Sequence, residues 1–278
     1  MLRLQCPLCG DKNNAIEQPK NNKTGIFCPK CGLAYNYNLP IISIDNHWEN
    51  FNFNTKTQIY DKEREVYFNH LWKYICHLTN KESGCVLDVG CGPGIILKIA
   101  TSYGWRAEGV EISPVLCNYA KQNSQCTVFQ GPVEKINFPE KIKYDIILMV
   151  DTFRHLVNPQ ETIKSCFGLL EDGGYLIIRD LNIDHSHSLK RFKQGLKYDL
   201  QFLSPKTAKE FLEKAKIINV KFYPSPMSLL TIPLIKRLDP KLRNLLMIFF
   251  NKFIQCLNII SFKKWLRLTP EMLILGKK

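Results

Sequence analysis

A short apolar strand that runs into closely spaced glycines constrains this chain more than any other feature. Residues 86–94 read Val-Leu-Asp-Val-Gly-Cys-Gly-Pro-Gly, and an apolar helical pattern begins at Ile95. Glycine permits a tight strand-to-helix turn whose backbone N–H groups face a ligand at close range. A dinucleotide-binding fingerprint needs its third glycine at Ile95, and Gly94 comes one residue too early. The spacing therefore predicts a cofactor other than a dinucleotide.

The same segment resembles motif I of the class I S-adenosylmethionine-dependent methyltransferases, which is an apolar pair followed by Asp-x-Gly-x-Gly-x-Gly. The resemblance covers residues 60–278 and favours the small-molecule branch that includes ubiquinone-pathway O-methyltransferases. It implies an α/β fold with a Rossmann-like seven-stranded sheet in the order 3-2-1-4-5-7-6, the last strand antiparallel. Apolar runs alternate with helical patterns after motif I, which independently predicts the βαβ units of a parallel sheet.

The resemblance places S-adenosylmethionine on motif I and on the ends of the following strands. Glu111 ends the second predicted strand, where a carboxylate can accept hydrogen bonds from two ribose hydroxyls. Pro132 stands where the family often has an aspartate, which leaves the adenine contact to the backbone of Val133. Asp151 is the candidate for orienting the methionyl part. The predicted cofactor-binding residues are Asp88, Gly90, Cys91, Gly92, Gly94, Glu111, Ile112, Val133 and Asp151.

A helix before motif I often brings a tyrosine or arginine over the cofactor in this family. Tyr60 and Arg64 are the candidates here, and ordinary positions on a helix face are the alternative.

The candidate catalytic residue is His155. The block at residues 144–159 contains Arg154-His155 where relatives have Glu-His. Methyl transfer to a hydroxyl or amine needs an aligned acceptor and a group that takes its proton, and an imidazole titrates near neutral pH. A histidine that only packs or caps a helix is the alternative. Many relatives also carry a histidine where this chain has Asp199, so the pattern does not identify the acceptor.

Four of the eleven cysteines form a separate N-terminal motif. They lie in two Cys-Pro-x-Cys-Gly repeats separated by 18 residues, which is the spacing of a zinc site. Four thiolates leave no position for water, so the zinc is predicted to be structural. Two unrelated thiol pairs are the alternative. The predicted ligands are Cys6, Cys9, Cys28 and Cys31.

The sequence divides into a zinc ribbon at 1–40, a linker and N-terminal cap helix at 41–80, and a methyltransferase domain at 81–278. A helical insertion at about 226–268 carries an apolar stripe among lysines and arginines, and the last 54 residues hold +8 of the net charge of +13. The stripe fits a lid or a homodimer face, and it also fits peripheral contact with a membrane. Many scattered cysteines and an opening without a leader pattern favour the cytoplasm.

These patterns predict a methyltransferase for a small-molecule acceptor, such as a hydroxyl of a sugar, glycan or lipid-linked precursor. The basic charge and the ribbon leave an rRNA base methyltransferase as the alternative, although aromatic residues are not interleaved with a basic patch as base stacking would favour. A third hypothesis is a non-catalytic scaffold that binds S-adenosylmethionine and a protein partner.

Overall fold

The computed structural model describes residues 5–12, 25–36, 55–139, 142–193, 199–225 and 269–278, and the single positions 239, 242, 246 and 249. In chain order the strands are β1 (Gly25–Phe27), β2 (Ala34–Asn36), β3 (Cys85–Val89), β4 (Arg106–Glu111), β5 (Thr127–Gln130), β6 (Tyr144–Val150), β7 (Leu170–Leu181), β8 (Gln201–Phe202), β9 (Ile218–Pro224) and β10 (Glu271–Lys277). The α-helices are α1 (Thr55–Thr79), α2 (Ile95–Ser102), α3 (Pro114–Ser124), α4 (Pro159–Leu169), α5 (Ser186–Lys193) and α6 (Pro205–Lys214).

A seven-stranded sheet runs in the order β5-β4-β3-β6-β7-β10-β9. Strands β3 to β7 pair in parallel, whereas β10 is antiparallel to both of its neighbours. Counted from the first strand of this sheet, the order is 3-2-1-4-5-7-6. The predicted fold class is therefore confirmed.

Burial on both faces explains why the central strands are almost continuously apolar. Ile146, Ile147 and Leu148 of β6 are fully buried, as expected for a parallel strand covered by helices on each side. On one face, Trp72 of α1 meets Trp105 edge to face at 5.2 Å between ring centroids. This packing fixes the sheet and leaves the loops at the carboxyl ends of β3 to β6 beside one another, where open α/β sheets bind ligands.

A second, three-stranded sheet joins the N-terminal cysteine segment to the larger domain. Strands β1 and β2 form an antiparallel hairpin, and β2 also pairs with β8, with Ala34 opposite Phe202 and Tyr35 opposite Gln201. This pairing is not predicted from the sequence, because a strand of two residues such as β8 is too short to show the alternation of side chains that marks a strand.

Several predictions concern residues outside the described ranges. The proposed ribbon boundary at 40 and most of the linker are among them, as are nearly all positions of the 226–268 insertion. Within that insertion the exposed side chains of Leu242, Leu246 and Phe249 are described. Among the helices that the structure describes, none combines the length and the apolar composition that a bilayer crossing requires.

The close packing of β10 predicts a cost for one added methyl group. A Cβ at Gly276 would overlap Cγ2 of the fully buried Ile217, whereas a Cβ at Gly168 in α4 would meet nothing within 4 Å. We expect Gly276→Ala to lower the free energy of unfolding by ~1–3 kcal/mol, and Gly168→Ala to leave it unchanged or raise it by up to ~1 kcal/mol. Urea denaturation of both variants measures the difference, and equal effects would contradict this packing.

Candidate active site

The loops at the carboxyl edge of the sheet surround a cavity of about 470 Å³. This volume lies within the range of small-molecule sites. Its lining includes Arg64 of α1, the candidate base His155 and six predicted cofactor residues, which are Gly90, Gly92, Glu111, Ile112, Val133 and Asp151. The fold thus brings residues from four strand ends, far apart in sequence, around one space.

Three other predicted cofactor residues are not among the residues lining the cavity: Asp88 near the end of β3, and Cys91 and Gly94 in the glycine turn. Cys91 is buried, its amide donates to the Val110 carbonyl at 3.1 Å, and its sulfur would lie 2.8 Å from a Cβ on Gly109. The alternating geometry of the turn sends this side chain into the core. Its placement supports the turn rather than presenting the thiol to a ligand.

Gly90 shows why the turn requires glycine. Its φ is +75°, and a Cβ there would lie 2.5 Å from the hydroxyl oxygen of Thr152. The residue therefore needs both a left-handed backbone and close contact with the loop after β6. This contact sets the turn and the His155 loop side by side.

Glu111 connects two of the loops that line the cavity. Its carboxylate accepts hydrogen bonds from the amides of Gly92 at 2.8 Å and Ser113 at 2.9 Å. Burial raises the pKa of Glu111, and these backbone donors act in the opposite direction. The carboxylate is held rigidly at the cavity wall, with acceptor capacity beyond these two bonds.

Asp88 is a buried carboxyl group behind the wall. Among the described residues its Oδ1 atom has no hydrogen-bond partner. Burial, followed by the nearby charge of Glu111, raises the pKa of Asp88 to about 7. The group is therefore easily protonated at neutral pH.

The residues on the predicted adenine side of the site fall into two groups. Val133 and Pro132 line the cavity, whereas Phe129 and Ile136 pack against the hydrophobic core. Arg64 also lines the cavity and stacks 4.9 Å from the ring centroid of Phe68. The side chain of Tyr60 is outside the described residues.

Arg154 is the centre of a buried ion-pair network. Its Nη1 atom lies 2.8 Å from both Asp151 Oδ1 and Asp180 Oδ1, and its Nε atom lies 3.3 Å from Asp199 Oδ1. Burial alone would lower the pKa of Arg154, but the carboxylates of Asp180, Asp151 and Asp199 raise it. The guanidinium therefore stays charged and holds three acidic groups together.

A second buried arginine completes the network. Arg179 pairs with Asp151 and with Glu271. Burial alone would raise the pKa of Asp151, yet the charges of Arg179 and Arg154 lower it well below its usual value. Asp151 thus lines the cavity as a fixed carboxylate, in a left-handed conformation with φ of +61°.

Asp199 connects this network to His155. Its Oδ1 atom lies 3.6 Å from Nδ1 of His155, and its Oδ2 atom lies 3.1 Å from Nε of Arg191. In the sequence, Arg154 and Asp199 are two separate departures from the family pattern, and their pairing is not predicted. Their opposite charges, an arginine where relatives have an acid and an acid where they have a histidine, were the available signal.

The four N-terminal cysteines converge on a second candidate site. All four sulfurs lie within 4.8 Å of one another, with Cys6 and Cys31 3.6 Å apart and Cys9 and Cys28 3.5 Å apart. Four sulfurs at ~2.3 Å from a zinc ion would be ~3.8 Å apart, so the cluster fits a tetrahedral metal. Burial raises the pKa of Cys6, and that of Cys31 to about 12, so the charge of a cation would favour their thiolates.

Comparison with known proteins agrees with this architecture. Residues 60–216, more than half of the chain, match the family model described as a methyltransferase domain. The chain belongs to this family, and its sheet order and glycine turn are those of the class I S-adenosylmethionine-dependent methyltransferases.

One curated relative is the ubiquinone biosynthesis O-methyltransferase of Coxiella burnetii (strain Dugway 5J108-111), 31% identical over 114 residues. That match covers 40% of this chain and spans about half, 49%, of the relative. A SAM-dependent methyltransferase from Archaeoglobus fulgidus has a TM-score of 0.57 at 21% identity over 81% of this chain and 100% of its own. The plantazolicin methyltransferase BpumL, solved with SAH, has a TM-score of 0.56 at 18% identity over 86% and 95%. The two structures share the fold.

The Arg154–Asp199 pair predicts energetic coupling. Arg154→Met leaves buried carboxylates without their cation, and we expect it to lower the free energy of unfolding by ~3–5 kcal/mol. Arg154→Met combined with Asp199→Asn should cost less than the sum of the single changes by ~1–3 kcal/mol. Urea denaturation of the four proteins gives the coupling energy. Lys209→Ala with Glu213→Ala, an exposed pair at 3.5 Å, is the control and should couple by less than ~0.5 kcal/mol; additive losses at Arg154 and Asp199 would contradict the network.

The buried carboxyl of Asp88 predicts a pH-dependent loss of stability. Because its folded pKa of about 7 exceeds the unfolded value, its contribution is fully present below the unfolded pKa and is lost as the pH rises through 7. We therefore expect the free energy of unfolding of Asp88→Asn, minus that of the unsubstituted chain, to increase by ~1–4 kcal/mol from pH 5 to pH 8. Thermal unfolding across this range measures it. The exposed Asp172→Asn serves as control, and parallel pH profiles for all three proteins would contradict the prediction.

Proposed function

We propose that this chain transfers the methyl group of S-adenosylmethionine to a hydroxyl of a small-molecule acceptor. The observation that carries the proposal is that Glu111 and His155 line the same cavity, one suited to a ribose and the other to a proton. Membership of the methyltransferase family supports it, as does the similarity to the Coxiella relative, an O-methyltransferase of ubiquinone biosynthesis.

The cofactor would lie against the glycine turn. Glu111, anchored by the amides of Gly92 and Ser113, would accept hydrogen bonds from the ribose hydroxyls. The backbone of Val133 would contact the adenine, and Asp151 would face the methionyl amine as a permanently charged carboxylate. When bound, S-adenosylmethionine supplies a methyl carbon on a positively charged sulfur.

His155 would take the proton of the acceptor. Because Asp199 faces Nδ1, it favours a proton on that atom and leaves Nε2 as the base. Nε2 would accept the proton that the acceptor hydroxyl loses on methylation, and the imidazolium so formed would carry the positive charge that the methyl donor gives up.

Among small molecules, a sugar, glycan or lipid-linked precursor is our first choice of acceptor. The cytoplasmic location and the dimer or membrane contact of the 226–268 insertion stay predictions. An rRNA base and a non-catalytic scaffold are the competing hypotheses, and the experiments below separate them.

Substitution of His155 tests the proposed chemistry. We expect His155→Ala to retain S-adenosylmethionine binding and to lose turnover ~10²- to 10⁴-fold, because the proton acceptor is removed. Release of S-adenosylhomocysteine is measured with a panel of catechols, sugars, lipid-linked sugars and rRNA fragments. His77→Ala, an exposed histidine of α1, is the control and should keep full activity.

Full turnover by His155→Ala would rule out the base. Methylation of rRNA alone would favour the RNA hypothesis. Cofactor binding without turnover on any acceptor would favour the scaffold.

We further propose that the four-cysteine cluster holds one structural zinc ion. Cys9→Ser removes one of four ligands and should lose the metal, with a lower melting temperature, because such sites contribute on the order of 10 kcal/mol to folding. Elemental analysis of the purified chain should give one zinc per molecule. Cys126→Ser, which lies outside the cluster, should keep the zinc. If the unsubstituted chain loses its metal without a change in melting temperature, the proposal is contradicted.

A further inference from the structure

The ribbon is the segment that holds the cysteine cluster and the β1–β2 hairpin, and its strand β2 pairs with β8, which begins two residues after Asp199. We propose that the ribbon positions the active-site histidine, through Asn36 of β2 and the backbone that leads into β8. This inference rests on the proposed function of His155 as the base. It assigns the ribbon a task inside the active site, in addition to its own folding.

The first link joins the ribbon to Asp199. The amide of Asn36 donates to the carbonyl of Leu200 at 2.8 Å, and its side-chain amide donates to the carbonyl of Asp199 itself. Asn36 and Asp199 are both almost completely buried. Two hydrogen bonds from one ribbon residue therefore fix the backbone on which the Asp199 carboxylate is mounted.

The second link joins the same backbone to the His155 turn. The amide of Leu200 donates to the carbonyl of Arg154 at 2.7 Å. The side chain of Gln201 donates to the carbonyls of Phe153 at 2.6 Å and Leu156 at 2.9 Å. Residues 199–201 thus hold the Asp199 carboxylate that faces His155, and they also hold the turn that carries His155.

The third link runs inside the ribbon. Only two residues separate Cys31 from the start of β2. The amide of Cys28 donates to the carbonyl of Leu33 at 2.8 Å. Leu33, Ala34 and Tyr35 are fully buried. The geometry of the second Cys-x-x-Cys turn therefore sets where β2 lies. A metal, when bound, would supply the cross-link that fixes this turn.

The consequence for the reaction is a matter of alignment. Asp199 faces Nδ1 of His155 at 3.6 Å, so a displacement of its backbone would weaken the preference for a proton on that nitrogen. Misplacement of a reacting group by ~1 Å can lower a rate ~10²-fold. Asn36, the ribbon residue that contacts Asp199, should therefore affect His155 even though it does not line the cavity.

Other contacts attach the ribbon without touching Asp199, and they provide the control. The Lys214 ammonium donates to the carbonyl of Leu8, and Phe27 packs on Phe192 at 5.3 Å between ring centroids. If the ribbon acted only as general packing, removing these contacts would disturb His155 as much as removing the Asn36 side chain. A positioning role restricts the effect to Asn36.

The experiment compares Asn36→Ala with Lys214→Ala in the full chain as purified. Nitrogen-15 chemical shifts of the His155 ring, assigned with His155→Ala, report which nitrogen carries the proton. We expect Asn36→Ala to shift the ring toward the other tautomer and to lower kcat ~10-fold on an acceptor that the unsubstituted chain methylates. Affinity for S-adenosylmethionine should be unchanged, because Asn36 does not line the cavity. Lys214→Ala should leave both the shifts and kcat unaltered.

Unchanged His155 shifts in Asn36→Ala would overturn the inference, and so would equal shifts in the two variants. Removal of metal by a chelator provides a second measurement, which should reproduce the Asn36→Ala spectrum while cofactor binding persists. Unaltered His155 shifts after chelation would show that the metal-bound ribbon does not position His155. Failure of the base hypothesis is recognised separately, since His155→Ala would then keep turnover whatever the spectra show.

Discussion

The buried charge of Arg154 is the constraint on which the candidate site depends. It draws together Asp151 at the end of β6, Asp180 in β7 and Asp199 just before β8. Desolvation makes such a network expensive, and its gain in stability over apolar packing is small. What it provides is a fixed geometry, because each carboxylate is costly to leave unpaired. The loop carrying His155 is consequently attached to β7 through Asp180 and to the segment before β8 through Asp199.

The glycine turn supplies the other half of the cavity by a different mechanism. Gly90 permits close approach of the loop that follows β6, and Glu111 uses backbone amides to connect two neighbouring loops. Backbone geometry thus shapes the cofactor side, and ion pairs shape the side of His155. Both lie at the carboxyl edge of the same parallel sheet, which is why residues from distant parts of the sequence meet there.

Local patterns were enough to predict the alternation of strands and helices and the meeting of four cysteines, because strand, turn and metal-ligand spacings are encoded within short segments. The order of the seven-stranded sheet was implied by the resemblance to the methyltransferase family rather than by these patterns. Three features escaped them. The β2–β8 pairing joins residues that are far apart in sequence, and so does the Arg154–Asp199 pair. The inward direction of Cys91 depends on the exact dihedral angles of the turn. Each of these is set by tertiary packing, which a single sequence does not report.

Calorimetric titration of S-adenosylmethionine into the purified chain measures whether this cavity holds the methyl donor. We expect one binding site per chain, with affinity strongly reduced in Glu111→Gln, because the neutral amide has one acceptor oxygen in place of two charged ones. Asp172→Asn, at an exposed position, should bind as the unsubstituted chain does. Absence of binding, or equal affinity in Glu111→Gln, would contradict the assignment of this cavity to the methyl donor.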